Sequence, residues 1–265
     1  MITDKSLPHA IFLDIDGTLM DHGSTKNLGN GKIPERNLAA IREAQRRGHK
    51  IIVNTGRGYA CLPTAVTEAG VDGFITGLGS HIEVDGRTIY NCPIPDDLLY
   101  LVTDYVINHK ISIRAQGRNI RMCFDPDSAY GNDYWVNFRS VAEFRKLLGN
   151  NFVSKLTFDN VTDTTLIQMV NRNFNLYMHS ATTGEATSKG CNKARAMQIV
   201  MDVLDIPRER TIAMGDSVND LEMLLGAGTS VALDNADVKI KKMCDYTTSS
   251  CTDGGVGRAI EMLIL

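Results

Sequence analysis

The stretch IFLDIDGTLM at residues 11–20 joins an apolar run to two aspartates, Asp14 and Asp16, and then to a Gly-Thr pair. A short apolar run without alternation is typical of a strand that is buried on both faces, as in a parallel sheet covered by helices. Side chains at i and i+2 of an extended backbone point the same way, so the two carboxyl groups are expected on one side of the strand end. The stretch therefore predicts a buried strand of an α/β fold with a polar site at its carboxyl end.

Strand and helix patterns alternate at the beginning and again at the end of the chain. A strand pattern at 9–15 precedes a helix pattern at 34–48, which begins with Pro and stops at Gly. The other predicted elements are strands at 50–56, 71–77, 210–215 and 229–233, and helices at 189–204, through Leu221 and Leu225, near 236–243, and ending near Leu263. Such alternation favours parallel pairing with right-handed crossovers. We predict an α/β fold with a doubly wound, mostly parallel sheet built by residues 1–82 and 186–265.

The pattern changes between these two blocks. Residues 81–90 are two short alternating runs about an Asp-Gly pair, the strongest short hairpin signal, and an amphipathic helix pattern follows at 95–109. Four further stretches are predicted as strands: ISIRAQ, IRMCF, TLIQMV and FNLYMHS. We therefore predict an inserted α+β domain at 83–185 that lies over the sheet.

Charge and composition exclude several classes of partner. The net charge is −3 without a long basic run, so no nucleic-acid partner is expected. No apolar stretch approaches membrane-spanning length, and the N-terminal MITDKSLPHA lacks the pattern of a secretory signal, so we expect no membrane association and a cytoplasmic location. The six cysteines are scattered, which argues against zinc and against a disulfide framework. No feature of the sequence indicates a protein partner.

Four polar segments stand where ligands of open α/β sheets bind, just after apolar runs or at predicted helix starts. They are DIDGT at 14–18, NTGR at 54–57, SKG at 188–190 and GDSVND at 215–220. A single DxD is a weak signal, because aspartates often cap helices and begin turns. The complementary chemistry of the four segments makes a functional site the better interpretation.

The carboxyl groups of these segments predict a metal site. The four groups concerned belong to Asp14, Asp16, Asp216 and Asp220. Together they would repel one another unless a cation neutralised them, and Mg²⁺ is the expected ion because it binds a few carboxylates together with phosphate oxygens. Thr55, Lys189 and Asn219 add a hydroxyl, an ammonium and an amide that would hold an anionic group beside the ion. The combination indicates a phosphoryl-transfer centre.

With these four motifs in this order, the chain resembles the Cof-type phosphatases of the haloacid dehalogenase (HAD) superfamily, which carry a type IIB cap. The match covers about residues 9–80 and 186–264, whereas the insert matches only by its position and its order of elements. The resemblance implies a phosphoric monoester hydrolase with a HAD-like Rossmannoid core and a cap at 83–185 that sets substrate specificity.

The resemblance also implies a role for each motif residue. Asp14 would be the nucleophile that forms an aspartyl-phosphate, which divides one hard hydrolysis into two displacements. Asp16 would be the general acid and then the general base, joining the metal through its backbone carbonyl so that its carboxyl group stays free. Asp216 would bind Mg²⁺, with Asp220 completing the shell or orienting its waters and Lys189. The catalytic lysine would be Lys189, and the phosphate-binding set would be Thr55, Gly56, Asn219 and Lys189.

One position departs from the family pattern. After the third core strand the family usually has Asn-Gly-Ala, whereas this chain has Leu78-Gly79-Ser80. Because that Asn commonly contributes to the cleft, we expect the substrate contacts to differ there.

The resulting prediction is a Mg²⁺-dependent phosphatase of small phosphorylated metabolites, with sugar phosphates as the expected class. Two alternatives stay open. A phosphomutase of the same superfamily would share all four motifs and keep phosphate on its product. A non-catalytic phosphate-sensing module would also hold Mg²⁺ and phosphate, although a receiver-like module would have no use for an acid–base carboxylate at Asp16.

Overall fold

The chain folds around two β-sheets. The computed structural model describes residue 5 and residues 7–21, 31–127, 134–159 and 161–265. The strands described in the first sheet are β1 (Ala10–Leu13), β2 (Lys50–Asn54), β3 (Gly73–Thr76), β4 (His81–Val84), β5 (Arg87–Asn91), β12 (Thr211–Gly215), β13 (Thr229–Ala232) and β14 (Tyr246–Thr247). Their spatial order is β14-β13-β12-β1-β2-β3-β4-β5.

The first sheet is mostly parallel and joins the two ends of the chain. β1 lies between β2 and β12 and pairs parallel with both, and the parallel pairing continues outward to β3 and β14. Among the strands described in this sheet, only β4 runs opposite to the others, so its pairings with β3 and β5 are antiparallel. The predicted α/β class and doubly wound, mostly parallel core are confirmed.

Both faces of the first sheet are covered by helices. In β1, Ile11 and Leu13 pack in one apolar cluster with α1 (Glu35–Arg46) and α9 (Gly255–Leu263). Ala10 and Phe12 pack in another cluster on the opposite face. The helices of that second face are α6 (Lys193–Leu204), α7 (Leu221–Gly226) and α8 (Val238–Met243). Burial on both faces explains why β1 is a continuous apolar run rather than an alternating one.

The predicted hairpin belongs to the first sheet, not to the insert. Asp85 and Gly86 form its turn with φ of 48° and 73°, as a two-residue turn with both central residues left-handed requires. β4 pairs with β3 because the outer edge of β3 offers unpaired backbone groups to an antiparallel neighbour. The first sheet therefore extends past the predicted boundary at residue 83, and we propose that the insert begins after β5.

The second sheet forms the body of the insert. Its described strands are β6 (Ile113–Gln116), β7 (Arg121–Phe124), β8 (Val136–Asn137), β9 (Lys155–Phe158), β10 (Phe174–Met178) and β11 (Gly184–Ser188), in the spatial order β10-β11-β9-β6-β7-β8. The helices α3 (Asp96–Asn108), α4 (Val141–Leu148) and α5 (Thr164–Asn173) share one apolar cluster with this sheet. Because β11 continues to Ser188, the sheet of the insert extends past the predicted boundary at residue 185.

One predicted strand of the insert is a helix. TLIQMV at 165–170 lies within α5, whose N-cap Asp163 accepts a hydrogen bond from the Leu166 amide at 2.8 Å. Leu166 and Val170 are buried four residues apart, which is the helical spacing. The strand prediction counted the apolar letters of this stretch and overlooked the capping aspartate before it.

The remaining elements are short. The helix α2 spans Thr64–Thr67, and single 3₁₀ turns span Tyr59–Cys61, Arg208–Arg210, Val218–Asp220 and Cys251–Asp253. No helix among the described residues combines the length and the apolar character that are needed to cross a membrane. All six cysteines are free thiols.

Candidate active site

Three neighbouring parallel strands end in the polar segments that the sequence singles out. Asp14, Thr55 and Asp216 directly follow β1, β2 and β12. Because the carboxyl ends of parallel strands meet at one edge of the sheet, these side chains converge there. Asp14 and Thr55 are buried, and Asp216 is half-buried.

Three of the four predicted carboxylates form a tight cluster. One carboxylate oxygen from each of Asp14, Asp216 and Asp220 can be chosen so that all three lie within 4.8 Å of one another. Oxygen ligands at this spacing are the donor set that Mg²⁺ prefers. The cluster therefore fits a divalent cation.

The electrostatics of Asp14 also favour a further positive charge. Burial raises the pKa of Asp14, and repulsion from Asp220 and Asp16 raises it further, whereas the positive charge of Lys193 lowers it. The net result is a pKa of about 8. A nucleophilic carboxylate must be ionised, so this environment requires more cationic charge than Lys193 alone provides. A divalent ion at the carboxylate cluster would supply that charge.

Lys193 is the lysine of the cluster. Its Nζ donates to Asp14 Oδ1 at 2.6 Å and to Asp220 Oδ1 at 2.5 Å, and it lies 3.5 Å from Asn219 Oδ1. The side chain is 1% exposed. Although burial lowers it, the charges of Asp14 and Asp220 hold the pKa of Lys193 above its usual value. Lys193 is therefore charged and shared between two carboxylates.

Lys189, the predicted catalytic and phosphate-binding lysine, does not reach the cluster. It lies in the turn after β11, is exposed, and its Nζ donates to the carbonyl of Asn171 at 3.0 Å. The predicted helix start at 189 is four residues early, because Asn192 is the N-cap of α6 and Lys193 its first residue. The helix start, rather than the SKG motif, brings a lysine to the strand ends.

Asp220 holds the loop after β12 in place. Its Oδ2 accepts hydrogen bonds from the amides of Asp216 and Ser217 at 3.1 and 3.0 Å, and from the hydroxyl of Ser217 at 3.0 Å. Its Oδ1 is bound by Lys193. This carboxylate therefore orients both the lysine and the backbone that carries Asp216.

The Asp16 carboxylate lies outside the cluster and is paired rather than free. Arg57 donates to it from Nε at 2.7 Å and from Nη2 at 2.6 Å, and Arg57 Nη1 also donates to the carbonyl of Cys61 at 3.2 Å. Such a two-point contact fixes the orientation of the carboxylate. The NTGR motif thus supplies the partner of the DIDGT motif, a contact that the spacing of the motifs did not predict.

Gly17 lets the first motif approach the loop after β12. Its φ is 81°, and a Cβ there would lie 2.3 Å from Asp216 Oδ2. Thr18 donates from its hydroxyl to Asp216 Oδ1 at 2.8 Å. Only glycine can adopt this φ and also approach Asp216 so closely. The close approach at Gly17 and the hydrogen bond from Thr18 together hold Asp216 against the DGT turn.

Three of the four predicted phosphate-binding residues, all except Lys189, lie in the loops that follow β2 and β12. Thr55 Oγ1 accepts from the amide of Arg57 at 3.2 Å, and Gly56 follows it in the same loop. Asn219 Oδ1 accepts from the hydroxyl of Ser217 at 2.7 Å and faces Lys193. Of these residues, Asn219 is the one that lies beside Lys193, at 3.5 Å from its Nζ.

A cavity of about 700 Å³ opens beside Lys193 and Asn219. One side is formed by the strand ends and loops of the first sheet, and the other by β10 of the second sheet. The cavity lining is Leu78, Leu176, Tyr177, Met178, His179, Asn192, Lys193, Ser217, Val218, Asn219, Leu221 and Glu222. The cavity therefore lies between Lys193 and its neighbouring loop on one side and the insert on the other.

Comparisons with known proteins agree with this architecture. The chain is 28% identical over 264 residues to 5-amino-6-(5-phospho-D-ribitylamino)uracil phosphatase YcsE of Bacillus subtilis (strain 168), covering 96% of this chain and 95% of that one. It is 25% identical over 255 residues to a phosphoglycolate phosphatase of Methanothermobacter thermautotrophicus, covering 95% and 96%. Among solved structures, the HAD subclass IIB sugar phosphatase BT4131 superposes with a TM-score of 0.78 at 23% identity, covering 97% of this chain and 100% of that one.

The family is shown by a match to nearly the whole chain. The model of the haloacid dehalogenase-like hydrolases matches residues 11–260, from the first strand to the last helix. This range includes the carboxylate cluster, Lys193 and the whole insert. The chain belongs to the haloacid dehalogenase-like hydrolase family.

Proposed function

We propose that this chain is a Mg²⁺-dependent phosphatase that hydrolyses small phosphorylated metabolites through an aspartyl-phosphate on Asp14. The observation that carries the proposal is the arrangement of Asp14, which is held by Lys193 beside Asp216 and Asp220. Bound Mg²⁺, held by Asp14, Asp216 and the backbone carbonyl of Asp16, would neutralise the charge that develops on the phosphoryl oxygens.

Asp14 is the nucleophile in the first step. A carboxylate oxygen of Asp14 forms a bond to phosphorus while the bond from phosphorus to the alcohol oxygen of the ester breaks. Asp16 gives a proton to that alcohol oxygen, so the product leaves as a neutral alcohol. Because Arg57 holds both oxygens of Asp16, this proton transfer requires one oxygen to turn from Arg57 to the leaving group.

The second step hydrolyses the aspartyl-phosphate. Asp16 takes a proton from a water molecule, the water oxygen attacks phosphorus, and the bond to Asp14 breaks to release inorganic phosphate. Lys193 offsets the negative charge of phosphate next to the carboxylates, and Thr55 and Asn219 hydrogen-bond the phosphoryl oxygens. Asp220 positions Lys193 and the loop of Asp216 rather than binding substrate.

The substrate class that we propose is sugar phosphates in the broad sense, namely phosphate esters of sugars and sugar alcohols, including substituted ones. One full-length relative is named for a phosphorylated ribitylamino-uracil, and a structural neighbour is described as a sugar phosphatase. The cap would close over the cleft to exclude bulk water and to contact the leaving group. We also propose a cytoplasmic location, to which the six free thiols are suited.

Release of inorganic phosphate tests the proposal. Wild type and Asp14→Asn are assayed on sugar phosphates, nucleotides and 4-nitrophenyl phosphate, with Mg²⁺ and with chelator. We expect metal-dependent release by wild type and none by the variant. Transfer of phosphate between positions of a sugar without release would favour the phosphomutase, and binding of phosphate without turnover would favour the sensing module.

A further inference from the structure

The insert contacts the core directly at the loop that carries Arg57. This loop follows β2 and runs from Thr55 to the 3₁₀ turn Tyr59–Cys61. The backbone of Arg57 is anchored in the core, because its amide donates to Thr55 Oγ1 at 3.2 Å and its carbonyl accepts from the Gly77 amide at 2.7 Å. The residues after Arg57 contact the insert instead. The loop is therefore held at one end by the core and at the other by the insert.

Gln116, the last residue of β6, lies directly against Gly58 of this loop. Its Oε1 accepts from the Gly58 amide at 3.1 Å, and a Cβ on Gly58 would lie 2.7 Å from Gln116 Cβ. The Gln116 side chain is buried, and its Nε2 donates to Thr157 Oγ1 at 3.2 Å. Because the backbone N–H of Gly58 can only donate, the oxygen of the Gln116 amide must face the loop. The contact is therefore both close and directional.

Further contacts from the insert hold the turn Tyr59–Cys61. The Ala60 amide donates to the Gly117 carbonyl at 3.1 Å, and Arg121 Nη1 donates to the Ala60 carbonyl at 3.1 Å. The Cys61 side chain is buried in a small apolar cluster with side chains of the insert. Together with the bond from Gly58 to Gln116, these contacts fix the position of the turn relative to the insert.

The turn in its place restrains the Arg57 guanidinium. Two of the guanidinium nitrogens bind the oxygens of Asp16, at 2.7 and 2.6 Å, while Nη1 donates to the Cys61 carbonyl at 3.2 Å. A long, flexible side chain keeps one orientation only when its contacts outweigh the rotamer entropy that it loses. Because the insert fixes the turn that carries the Cys61 carbonyl, the insert also restrains Arg57 and, through Arg57, the Asp16 carboxyl group.

We propose that Gln116 is a positioning residue for the protonation of the leaving group: by holding the insert against Gly58, it keeps Arg57 and thereby Asp16 in place. This inference rests on the proposed function, in which Asp16 gives its proton to the ester oxygen while the bond between that oxygen and phosphorus breaks. Without the contact at Gly58, Asp16 is less well aligned, and the leaving group departs with more negative charge on its oxygen. The insert thus takes part in proton transfer although it supplies no catalytic side chain to that step.

Two esters of similar size test this role. Phenyl phosphate and 4-nitrophenyl phosphate differ chiefly in the basicity of the leaving oxygen, and the more basic phenoxide depends more on protonation. Because kcat/KM covers the steps up to departure of the leaving group, the ratio of kcat/KM for phenyl phosphate to kcat/KM for 4-nitrophenyl phosphate reports how well the acid works. A loss of folded protein or of insert stability alone would lower both values and leave this ratio unchanged.

Variants on the two sides of the contact should lower this ratio. We expect Gln116→Leu, which removes the acceptor of the Gly58 amide, to lower the ratio by about tenfold, a part of the hundredfold or more that a general acid contributes. Gly58→Ala should lower it similarly, because the φ of −67° suits alanine while the added Cβ pushes the loop away from Gln116. If one of these variants does not fold, the other decides the question.

Two controls separate positioning from a general loosening of the insert. Thr157→Val removes the other hydrogen bond of the Gln116 amide but keeps the contact with Gly58, so the ratio should stay within about twofold of wild type. In an Arg57→Met background, Gln116→Leu should not change the ratio further, because the contact acts through Arg57.

The outcomes are distinct. A ratio unchanged in Gln116→Leu and Gly58→Ala, with melting temperatures near wild type, would overturn the proposal, as would an equal fall in Thr157→Val. A further fall caused by Gln116→Leu in the Arg57→Met background would also overturn it, since the effect would then not pass through Arg57. Absence of turnover of both esters by wild type would instead refute the proposed function on which this inference rests.

Discussion

At the scale of single residues, Lys193 decides whether the carboxylate cluster is stable. It lies between Asp14 and Asp220 with almost no exposure to solvent, so removing its charge leaves two buried carboxylates to repel each other. Lys189 carries the same charge on the surface and contacts only a carbonyl among the interactions described. The two lysines are therefore a matched pair for mutation.

We predict that Lys193→Met lowers kcat/KM by about a hundredfold or more, as loss of a charge-stabilising group in an active site does. Lys189→Met should stay within about twofold of wild type, since exposed substitutions far from the chemistry have small effects. Steady-state hydrolysis of 4-nitrophenyl phosphate measures both, with circular dichroism as the check on folding. Equal losses in the two variants would contradict the assignment of Lys193.

The residues of the site differ in how well their positions can be predicted from the sequence. The carboxylates, Thr55 and Asn219 were found because each motif directly follows a strand of the parallel sheet, and strand ends are recognisable from apolar runs. Lys193 was missed because its position depends on where α6 begins, and helix boundaries are poorly determined by periodicity. A signal was present, since Asn192 is a good N-cap and a lysine directly after it is disfavoured by the helix dipole.

At the scale of elements, the turn between β3 and β4 supports the start of α6. Gly79 has a φ of 90°, and a Cβ there would lie 2.4 Å from the carbonyl oxygen of Asn192, the residue before Lys193. Close approach of these two segments is thus possible only with glycine. The contact between the turn and the start of α6 therefore fixes the position of Lys193 relative to the strand ends.

We predict that Gly79→Ala lowers both the melting temperature and the phosphatase activity, because the clash displaces the first turn of α6. Gly86→Ala is the control: its φ of 73° imposes similar backbone strain, but nothing lies within 4 Å of its Cβ. Both variants should lose about 1 kcal/mol or more of folding free energy to strain, and only Gly79→Ala should also lose activity. Thermal unfolding and turnover, measured together, separate the two effects; unchanged activity in Gly79→Ala would contradict this account of α6.

The ion pair between Lys155 on β9 and Glu185 on β11 makes the stability of the fold depend on pH. Burial raises the pKa of Glu185, but the charges of Lys155 and His179 outweigh it and lower the pKa from 4.5 to about 2. The folded carboxyl group thus binds fewer protons than the unfolded one, so its stabilising contribution is complete above pH 4.5 and is lost as the pH falls towards 2.

We predict that Glu185→Gln lowers the free energy of unfolding at pH 7 by about 3 kcal/mol, because the buried Lys155 loses its partner. The difference in the free energy of unfolding between wild type and Glu185→Gln should decrease as the pH drops below 4.5. Glu261→Gln, which breaks an exposed pair with Arg36, serves as the control and should cost about 1 kcal/mol or less. Urea unfolding at several pH values measures these differences. A difference in the free energy of unfolding that stays constant with pH would show that the ionised Glu185 does not account for the stabilisation.

The elements of the core could be predicted better than those of the insert, for physical reasons. Strands buried on both faces are continuous apolar runs, and β1, β2, β3, β12 and β13 were all recognised in this way. In the insert, TLIQMV is a short apolar run that resembles a strand, although Asp163 caps it as a helix. The hairpin was recognised by its Asp-Gly turn, but its membership in the first sheet depends on tertiary pairing that no local pattern encodes.

At the scale of the whole molecule, the first sheet supplies the charged site and the insert supplies one wall of the cavity. The carboxylates come from residues separated by about two hundred positions, so binding a cation there links the two ends of the chain. A ligand that binds only the folded state stabilises it by an amount that grows with the logarithm of the ligand concentration relative to the dissociation constant. Metal binding should therefore be visible in the stability of the entire protein.

We predict that saturating Mg²⁺ raises the melting temperature of the wild type by about 5 °C or more relative to chelator. Asp216→Asn should abolish this increase, whereas Asp97→Asn, at an exposed position of α3, should retain it. Differential scanning fluorimetry with and without Mg²⁺ is sufficient. The same increase in Asp216→Asn as in wild type would show that the ion binds elsewhere.

The most direct test of the account is to trap the phosphorylated residue. Wild type is mixed with substrate and Mg²⁺, quenched, and reduced with borohydride, which converts an aspartyl-phosphate to homoserine, and the peptides are then mapped by mass spectrometry. We predict homoserine at position 14, dependent on substrate and Mg²⁺ and absent from Asp14→Asn. Efficient turnover without any trapped product at position 14, or with the product at another aspartate, would contradict the assignment of Asp14 as nucleophile.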